Sequence, residues 1–308
     1  MQIHNKETQL PHFICCLGKL LTALCLMAYT NFTMAQDYFE KLLPLRGFSL
    51  TIDAGATLPA RHHANFYNGR PENTNTINRI MHSEAYGNSI WNNLVDQGLI
   101  SPSAIQTYNQ LRVAEYADMK YSITYQIGLG VRYDFEGRNT AIFARFDYMK
   151  LTAKGAFNLY SGASTSTLSN INQFISCGIW GNETRTYIDF GVSKAIPFNP
   201  MLHFVVDAGI NLNHYRVQSN DVEIGGATYS ILDTWGGQSP MMNSQSYEYY
   251  QTGIGYGAFA SPCLRLILPH SMAADLGISC YYNKITLPGY SQFAPQFTLF
   301  MRFILNNL

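Results

Sequence analysis

Residues 120–135, KYSITYQIGLGVRYDF, decide the fold, because every second side chain in this segment is apolar. Alternation with a period of two is the signature of a β-strand whose two faces meet different surroundings. The opposite face carries polar side chains and glycine. The apolar face consists of Tyr121, Ile123, Tyr125, Ile127, Leu129, Val131, Tyr133 and Phe135. A tilted strand that crosses a bilayer needs about ten residues, and this segment exceeds that length.

The same alternation recurs along the chain and predicts eight antiparallel strands. They cover about residues 46–55, 120–135, 140–151, 184–195, 201–215, 251–268, 273–283 and 296–305. The short links 136–139, 197–200 and 269–272 alternate with the long links 56–119, 152–183, 216–250 and 284–295. This order is typical of outer-membrane barrels, which place short turns in the periplasm and long loops at the cell surface. We therefore predict an all-β, eight-stranded antiparallel transmembrane barrel with both termini in the periplasm.

The composition agrees with a barrel that has lipid outside and polar groups inside. Only 13% of the residues are charged, 14% are aromatic, and the mean hydropathy is −0.07. A soluble β-sandwich would show the same alternation, but its polar face rarely carries so many glycines as this one. We expect Tyr121, Tyr148, Tyr215 and Tyr282 to lie in an aromatic girdle at the surface-side ends of the strands. The formal net charge of zero gives no reason to expect a nucleic-acid partner.

The first 35 residues have the features of a secretory signal peptide. Lys19 precedes the apolar run 20–29, and Thr33-Met34-Ala35 provides small residues for cleavage before Gln36. We predict a signal peptide over 1–35, a periplasmic segment over 36–45 and the barrel over 46–308. Three cysteines then remain, and their odd number argues against a disulfide framework. Because Cys263 and Cys280 fall on opposite faces of their strands, we predict no disulfide between them.

Nine charged residues fall on the polar face of the predicted strands and therefore point into the barrel. They are Asp53, Arg132, Arg145, Asp147, Asp189, Asp207, Arg265, Asp275 and Arg302. The interior of an eight-stranded barrel is just wide enough for side chains to fill. Charges confined there should pair, because an isolated buried charge costs on the order of several kcal/mol. We expect a plugged, salt-bridged interior, and the alternative is a path for protons or ions.

The first long loop contains helix signals. Residues 84–97 place apolar side chains on one side, and Ser101-Pro102 is a typical start of a second helix. These apolar faces either pack on the barrel mouth or dock a partner protein. Aromatic residues and methionines in the third loop are further candidate contacts, because both types are enriched at interfaces. The candidates for docking are Ile90, Trp91, Leu94, Ile105, Tyr108, Leu111, Trp235, Met241 and Met242.

The sequence offers little support for catalysis. His62, His63 and His82 have no carboxylate or cysteine at metal-ligand spacing. His214 is predicted to face lipid and has no nearby serine, which an outer-membrane acyl hydrolase would need. We therefore expect a non-enzymatic protein with no catalytic, cofactor-binding or metal-binding site.

The chain resembles the small outer-membrane β-barrel proteins common in Bacteroidota. The resemblance rests on Met34-Ala35-Gln36, the alternating strands rich in Gly and Tyr, and the closing segment 297–303, FTLFMRF. One departure is that residues 304–308 continue past Phe303, where such barrels often end. The resemblance implies an accessory subunit of a larger outer-membrane machine for protein assembly, secretion or glycan uptake. Its partners would be a larger barrel or surface lipoproteins. The alternatives are a stand-alone surface adhesin and a lipid-modifying enzyme.

Overall fold

The computed structural model describes residues 45–100, 111–160, 174–232, 251–269 and 271–306. Eight long strands form a ring in which each strand pairs antiparallel with both neighbours. The first and last strands close the ring, with Ser49 opposite Asn306 and Leu58 opposite Phe297. The predicted eight-stranded antiparallel barrel is confirmed. The predicted signal peptide and residues 36–44 lie outside the described residues.

Six of the eight strands are longer than the alternation in the sequence predicts, whereas the strand predicted over 120–135 begins only at Thr124 and the one predicted over 251–268 begins at Thr252. The barrel strands are β1 (Gly47–Leu58), β4 (Thr124–Phe135), β5 (Thr140–Tyr160), β6 (Phe174–Pro197), β7 (Leu202–Ile224), β9 (Thr252–Leu268), β10 (Met272–Leu287) and β11 (Tyr290–Asn306). Three short strands lie outside the ring: β2 (Arg112–Glu115) and β3 (Lys120–Tyr121) pair with β5, and β8 (Ala227–Ser230) pairs with β7. Tight turns join β4 to β5, β6 to β7 and β9 to β10, at what we call the turn end; the other end is the loop end.

An apolar band surrounds the barrel. On β4 the outward side chains from Tyr125 to Phe135 are apolar, and Tyr125 and Ile127 expose 82% and 62% of their surface. Ten residue steps of about 3.4 Å, tilted by about 40°, span roughly 26 Å. This height matches the apolar band of a transmembrane barrel, which is about 25 Å. The exposed surface of these residues is therefore the lipid-facing surface.

The apolar face changes sides along β5. Between Thr140 and Tyr148 the even-numbered residues are apolar and point outward, while Arg145 and Asp147 point inward. From Leu151 to Leu159 the odd-numbered inward residues are the apolar ones, and the outward residues include Lys154. β6 inverts in the same way between Ile188 outside and Ile179 inside. The inversion shows that these strands leave the lipid and continue into water around an apolar core.

The parts of β5, β6 and β7 beyond the band, together with β2 and β8, form a sheet that we call the wall. It consists of residues 149–160, 174–185 and 215–224 with the two short strands at its edges. The inner surface of the wall carries Phe157, Cys177, Ile179, Val217 and Val222, all buried. The wall therefore rises on one side of the barrel as half of a separate apolar core.

The other half of that core is a helical segment that we call the cap, residues 59–100. It contains α1 (Arg61–Ala64), a 3₁₀ turn (Asn65–Tyr67), α2 (Ile77–Met81) and α3 (Glu84–Asp96). α3 forms where the sequence predicts it, whereas α1 and α2 are additional. The predicted second helix falls on residues 101–110, which are outside the described residues. Among the helices described, none has the length and apolar character needed to span a membrane.

Two sequence predictions are wrong at the loop end. The link 284–295 is not a long loop, because β10 and β11 continue through it as a hairpin that turns at Pro288 and Gly289. Gly289 has φ +72°, the left-handed conformation that such a tight turn requires. Tyr121 and Tyr215 are not girdle residues, since both side chains point into the barrel.

The accessibility of the three cysteines provides a test of this fold. Cys280 is exposed on the lipid-facing surface, whereas Cys177 and Cys263 are buried, and all three are free thiols. Burial raises the pKa of the Cys177 thiol to about 12, so that thiol stays protonated at neutral pH.

We expect N-ethylmaleimide to modify one cysteine in the detergent-folded chain without residues 1–35, and three after denaturation. Peptide mass spectrometry should place the single label on Cys280. The variant Cys280→Ser should then remain unlabelled while folded. Rapid labelling of Cys263 in the folded protein would contradict the assigned strand faces.

Candidate functional site

A lower charge cluster lies inside the barrel near the turn end and consists of Asp53, Asp207, Arg265, Asp275 and Arg302. Arg302 donates to Asp53 (2.7 Å) and Asp207 (2.6 Å), and its Nη1 lies 3.5 Å from Asp275. Arg265 binds both carboxylate oxygens of Asp275, at 2.7 and 2.8 Å. Bidentate pairs of this kind are among the strongest charge-assisted hydrogen bonds. The cluster links five strands across the interior.

A central charge cluster lies closer to the loop end and is built around Arg145. Its guanidinium donates to Asp147 (2.8 Å), Asp189 (2.5 Å) and the hydroxyl of Tyr281 (2.7 Å). Asp53 of the lower cluster lies 3.9 Å away, so the two clusters are continuous. A cavity of about 10 Å³ between them is lined by Gln126 and Thr298, among others. That volume holds about one water molecule, so no solute fits here.

The structure brings all nine charged residues predicted for the interior into buried ion pairs. None of them exposes more than 5% of its surface. Arg132 is separate from the two clusters and pairs with Asp134, at 2.9 Å, near the turn end. Pairs such as Arg145–Asp189 and Arg302–Asp207 connect different strands, so the charges brace the barrel as well as filling it.

An upper charge cluster, which the strand pattern of the sequence does not predict, lies where the barrel meets the cap. Arg185 is completely buried and donates to Glu183 on the same strand. Glu183 also accepts hydrogen bonds from the hydroxyls of Tyr67 (2.6 Å) and Tyr121 (3.0 Å). Tyr67 belongs to the cap, and its ring packs so closely against Gly181 that a Cβ at this position would have no room. This cluster therefore fastens the cap to the barrel.

The cap is tied to the wall and the loop-end hairpin by further hydrogen bonds. The amide of Asn93 donates to the hydroxyl of Tyr229 (2.7 Å), and Asn75 exchanges two hydrogen bonds with Gln251. The hydroxyl of Thr74 donates to the carbonyl of Pro288 at 2.8 Å. The cap is thus a fixed part of the structure that closes over the barrel mouth.

Burial overturns part of the predicted docking set. Ile90 and Leu94 are fully buried because the apolar face of α3 packs into the core between cap and wall, and Leu111, which lies outside α3, is buried in the same core. The sequence left two alternatives for the apolar faces of the first loop, packing on the barrel mouth or docking a partner. These three residues pack on the barrel mouth. Trp91 is half-buried and packs against the same core. Ile105, Tyr108, Trp235, Met241 and Met242 lie outside the described residues.

The histidines of the first loop are not assembled into a metal site. Within the described ranges, no three His, Cys, Asp or Glu side chains are grouped to hold a metal ion. His63 is buried in the cap, while His62 and His82 are exposed. His214 points outward from β7, opposite Thr186 and Ile254 on the neighbouring strands.

These features define a closed, eight-stranded transmembrane β-barrel with a filled interior and a folded cap outside the membrane. No protein-family model matches the sequence, and no curated protein matches it either. The fold is similar to a crystal structure of neisserial surface protein A, with 10% identity and a TM-score of 0.37 over 86% of this chain and all of that one. It is also similar to Ail, the attachment invasion locus protein of Yersinia pestis, with 10% identity and a TM-score of 0.28 over 85% and 98% of the two chains.

Removing Arg302 should destabilise the barrel strongly. In Arg302→Met the buried carboxylates of Asp53 and Asp207 lose the guanidinium that pairs them, and breaking a buried pair costs about 3–5 kcal/mol. Urea unfolding in detergent should show this loss. Arg46→Met is the matched control, because Arg46 and Glu136 form an exposed pair worth less than about 1 kcal/mol. Equal stabilities of the two variants would show that the lower cluster does not brace the barrel.

His63 should make the stability of the cap depend on pH. Burial, and then the positive charge of Arg185, lower the pKa of His63 from 6.5 to about 3. The unfolded side chain therefore takes up a proton at a higher pH than the packed one. Stability is full above about pH 6.5 and falls by about 1.4 kcal/mol per pH unit as the pH drops towards 3.

The test is amide hydrogen exchange of α2 and α3 at pH 6.5 and 5, corrected for the intrinsic exchange rate. We expect protection to fall by about 2 kcal/mol. His63→Leu should remove most of this dependence, and His62→Leu, at the exposed neighbouring position, should keep it. Unchanged protection in the wild type would mean that His63 does not titrate against cap folding.

Proposed function

We propose that the protein is a non-enzymatic outer-membrane barrel that acts as an accessory subunit of a larger outer-membrane complex. The observation that carries this proposal is the contrast between interior and exterior. Paired charges fill the barrel, which leaves no room for a solute at the level of the lower and central clusters. The chain instead builds a fixed cap and a wall outside the membrane, and these are the parts available to a partner.

The lengths of the links support our proposal for the orientation. The turn end has three tight turns, and Leu45 and Asn306, the first and last described residues, also lie there. In outer-membrane barrels short turns face the periplasm. We therefore place the cap and the wall at the cell surface, where a larger barrel or surface lipoproteins could be bound.

The exposed side of α3 is our candidate docking surface. Its apolar side is occupied by Ile90 and Leu94, and the opposite side presents Asn92 and Asp96 to solvent. Tyr86, one turn before Ile90, lies at the edge of the apolar side and exposes 41% of its surface. Tyr86 packs edge-to-face with Tyr229 at 6.3 Å, so it is held in place on the surface. A rigid aromatic side chain in a polar rim is typical of a contact residue.

The test is a mild-detergent pull-down of the tagged protein from its own outer membrane, followed by mass spectrometry. The wild type should recover a larger barrel or surface lipoproteins in stoichiometric amounts. The double variant Asn92→Arg/Asp96→Arg should lower that recovery at least tenfold, because two bulky, positively charged side chains disrupt a docked surface without touching the buried side of α3. Lys194→Glu, at the turn end, should recover the partners normally.

The folded state of each variant is checked by the shift in gel mobility on heating. Recovery of the wild-type chain alone would overturn the accessory-subunit proposal and favour a stand-alone surface-binding protein. If the double variant recovers the partners normally, the proposal of a complex stands. The exposed side of α3 is then excluded as its docking surface.

A further inference from the structure

The outer surface of the wall carries a single tryptophan at its centre, Trp180. Lys154 on β5 and Asp221 on β7 pair directly with it, one on each side. The indole leans along its own strand towards Gly178, where a Cβ would come within 3.7 Å of the ring. Glu223 is the partner of Gly178 on β7 and is exposed. The ring is half-buried and therefore lies along the outer surface of the wall, with a carboxylate at its edge.

Short polar side chains form the next row towards the membrane. The hydroxyl of Thr152 donates to Asn182 at 2.8 Å, and the amide of Asn182 donates to the hydroxyl of Ser219 at 2.9 Å. This row keeps the surface below Trp180 flat and rich in hydrogen-bonding groups. An aromatic face beside carboxylates, amides and hydroxyls suits a sugar ring, whose C–H groups pack on the aromatic face while its hydroxyls take the hydrogen bonds.

Trp180 is too far from the lipid to act as an interfacial anchor. The continuous outward apolar band on β5 ends at Tyr148, which pairs with Thr186. Six residue steps from Thr186 to Trp180 cover about 20 Å along β6, or about 15 Å of height at a tilt of about 40°. The interfacial layer of a bilayer is only about 5–8 Å thick on each side. Trp180 lies beyond it, at the height of sugars attached to lipid headgroups.

Basic side chains lie between Trp180 and the lipid. Lys150 pairs with Thr184, which pairs with Arg216, and both basic residues are exposed in this row. Over the described part of the barrel strands, no acidic side chain faces outward between this row and the turn end. An exterior with basic but no acidic groups at the headgroup level favours phosphate. Phosphate below and sugar above is the arrangement of a phosphorylated glycolipid standing in the leaflet.

We propose that the outer surface of the wall around Trp180 binds the phosphorylated oligosaccharide of a glycolipid in the surrounding outer leaflet. The inference rests on the proposed outer-membrane location. It assigns the sugar to Trp180, Asn182 and Glu223 and the phosphate to Lys150. The exposed side of α3 takes no part in it, so lipid binding and partner docking are separable.

The experiment uses the full mature chain in detergent and measures affinity by native mass spectrometry. The probes are lipopolysaccharide with its core oligosaccharide, lipid A, and the core oligosaccharide released from its lipid. We expect lipopolysaccharide to bind at least tenfold more tightly than either fragment. Trp180→Ala should lower the affinity for lipopolysaccharide and for the free oligosaccharide at least tenfold. Its affinity for lipid A should be unchanged. Trp180→Tyr, which keeps an aromatic face, should restore most of the affinity.

Lys150→Ala should weaken the binding of both lipopolysaccharide and lipid A. Lys194→Ala, at the turn end, should change neither affinity. Wild-type affinity of Trp180→Ala for all three probes would overturn the sugar site. Equal binding of free oligosaccharide and lipopolysaccharide would overturn the assignment to a membrane glycolipid. Because purified protein is used, failure of this proposal leaves the pull-down result unaffected, and the reverse also holds.

Discussion

The pairing of β1 with β11 is the interaction on which the rest of the structure depends. In the hydrocarbon region a backbone amide or carbonyl has no water to bond, so a sheet that crosses a membrane must close. Closing eight strands leaves an interior only as wide as its own side chains. The closure therefore dictates glycine and paired charges inside, and apolar side chains outside. It also forces any binding function onto the segments that leave the membrane.

The transmembrane part could be predicted from the sequence because one rule applies along its whole length. Residues such as Ile127 and Leu129 face lipid and their neighbours face the interior, so a period of two is unbroken. The prediction failed where that rule changes. β5 was expected to end at Leu151 because the apolar residues change sides there. The strand in fact continues to Tyr160, with its apolar side chains now turned towards the cap.

The interior charges followed from the same rule, since the strand face alone places Asp53 or Arg302 inside. The upper cluster did not, for two physical reasons. Glu183 lies beyond the predicted start of its strand, and Tyr67 comes from a segment more than a hundred residues away in sequence. The burial of Ile90 and Leu94 was not predicted for a similar reason, because it depends on contacts between segments that are distant in sequence. An amphipathic helix shows in the sequence that it has an apolar side, but only the tertiary structure shows what covers that side.

The wall makes the molecule unequal around the membrane normal. β5, β6 and β7 continue well above the lipid, while β1 and β4 stop close to it, so the protein has a high side and a low side. A cylindrical barrel presents the same profile to every neighbour in the membrane plane. This barrel presents two different sides. A neighbour that diffuses in the membrane plane must therefore also have the right rotation about the membrane normal before the two proteins can make contact. Its encounters in the membrane therefore depend on orientation, and in a crowded membrane its neighbours will pack against it in a preferred orientation.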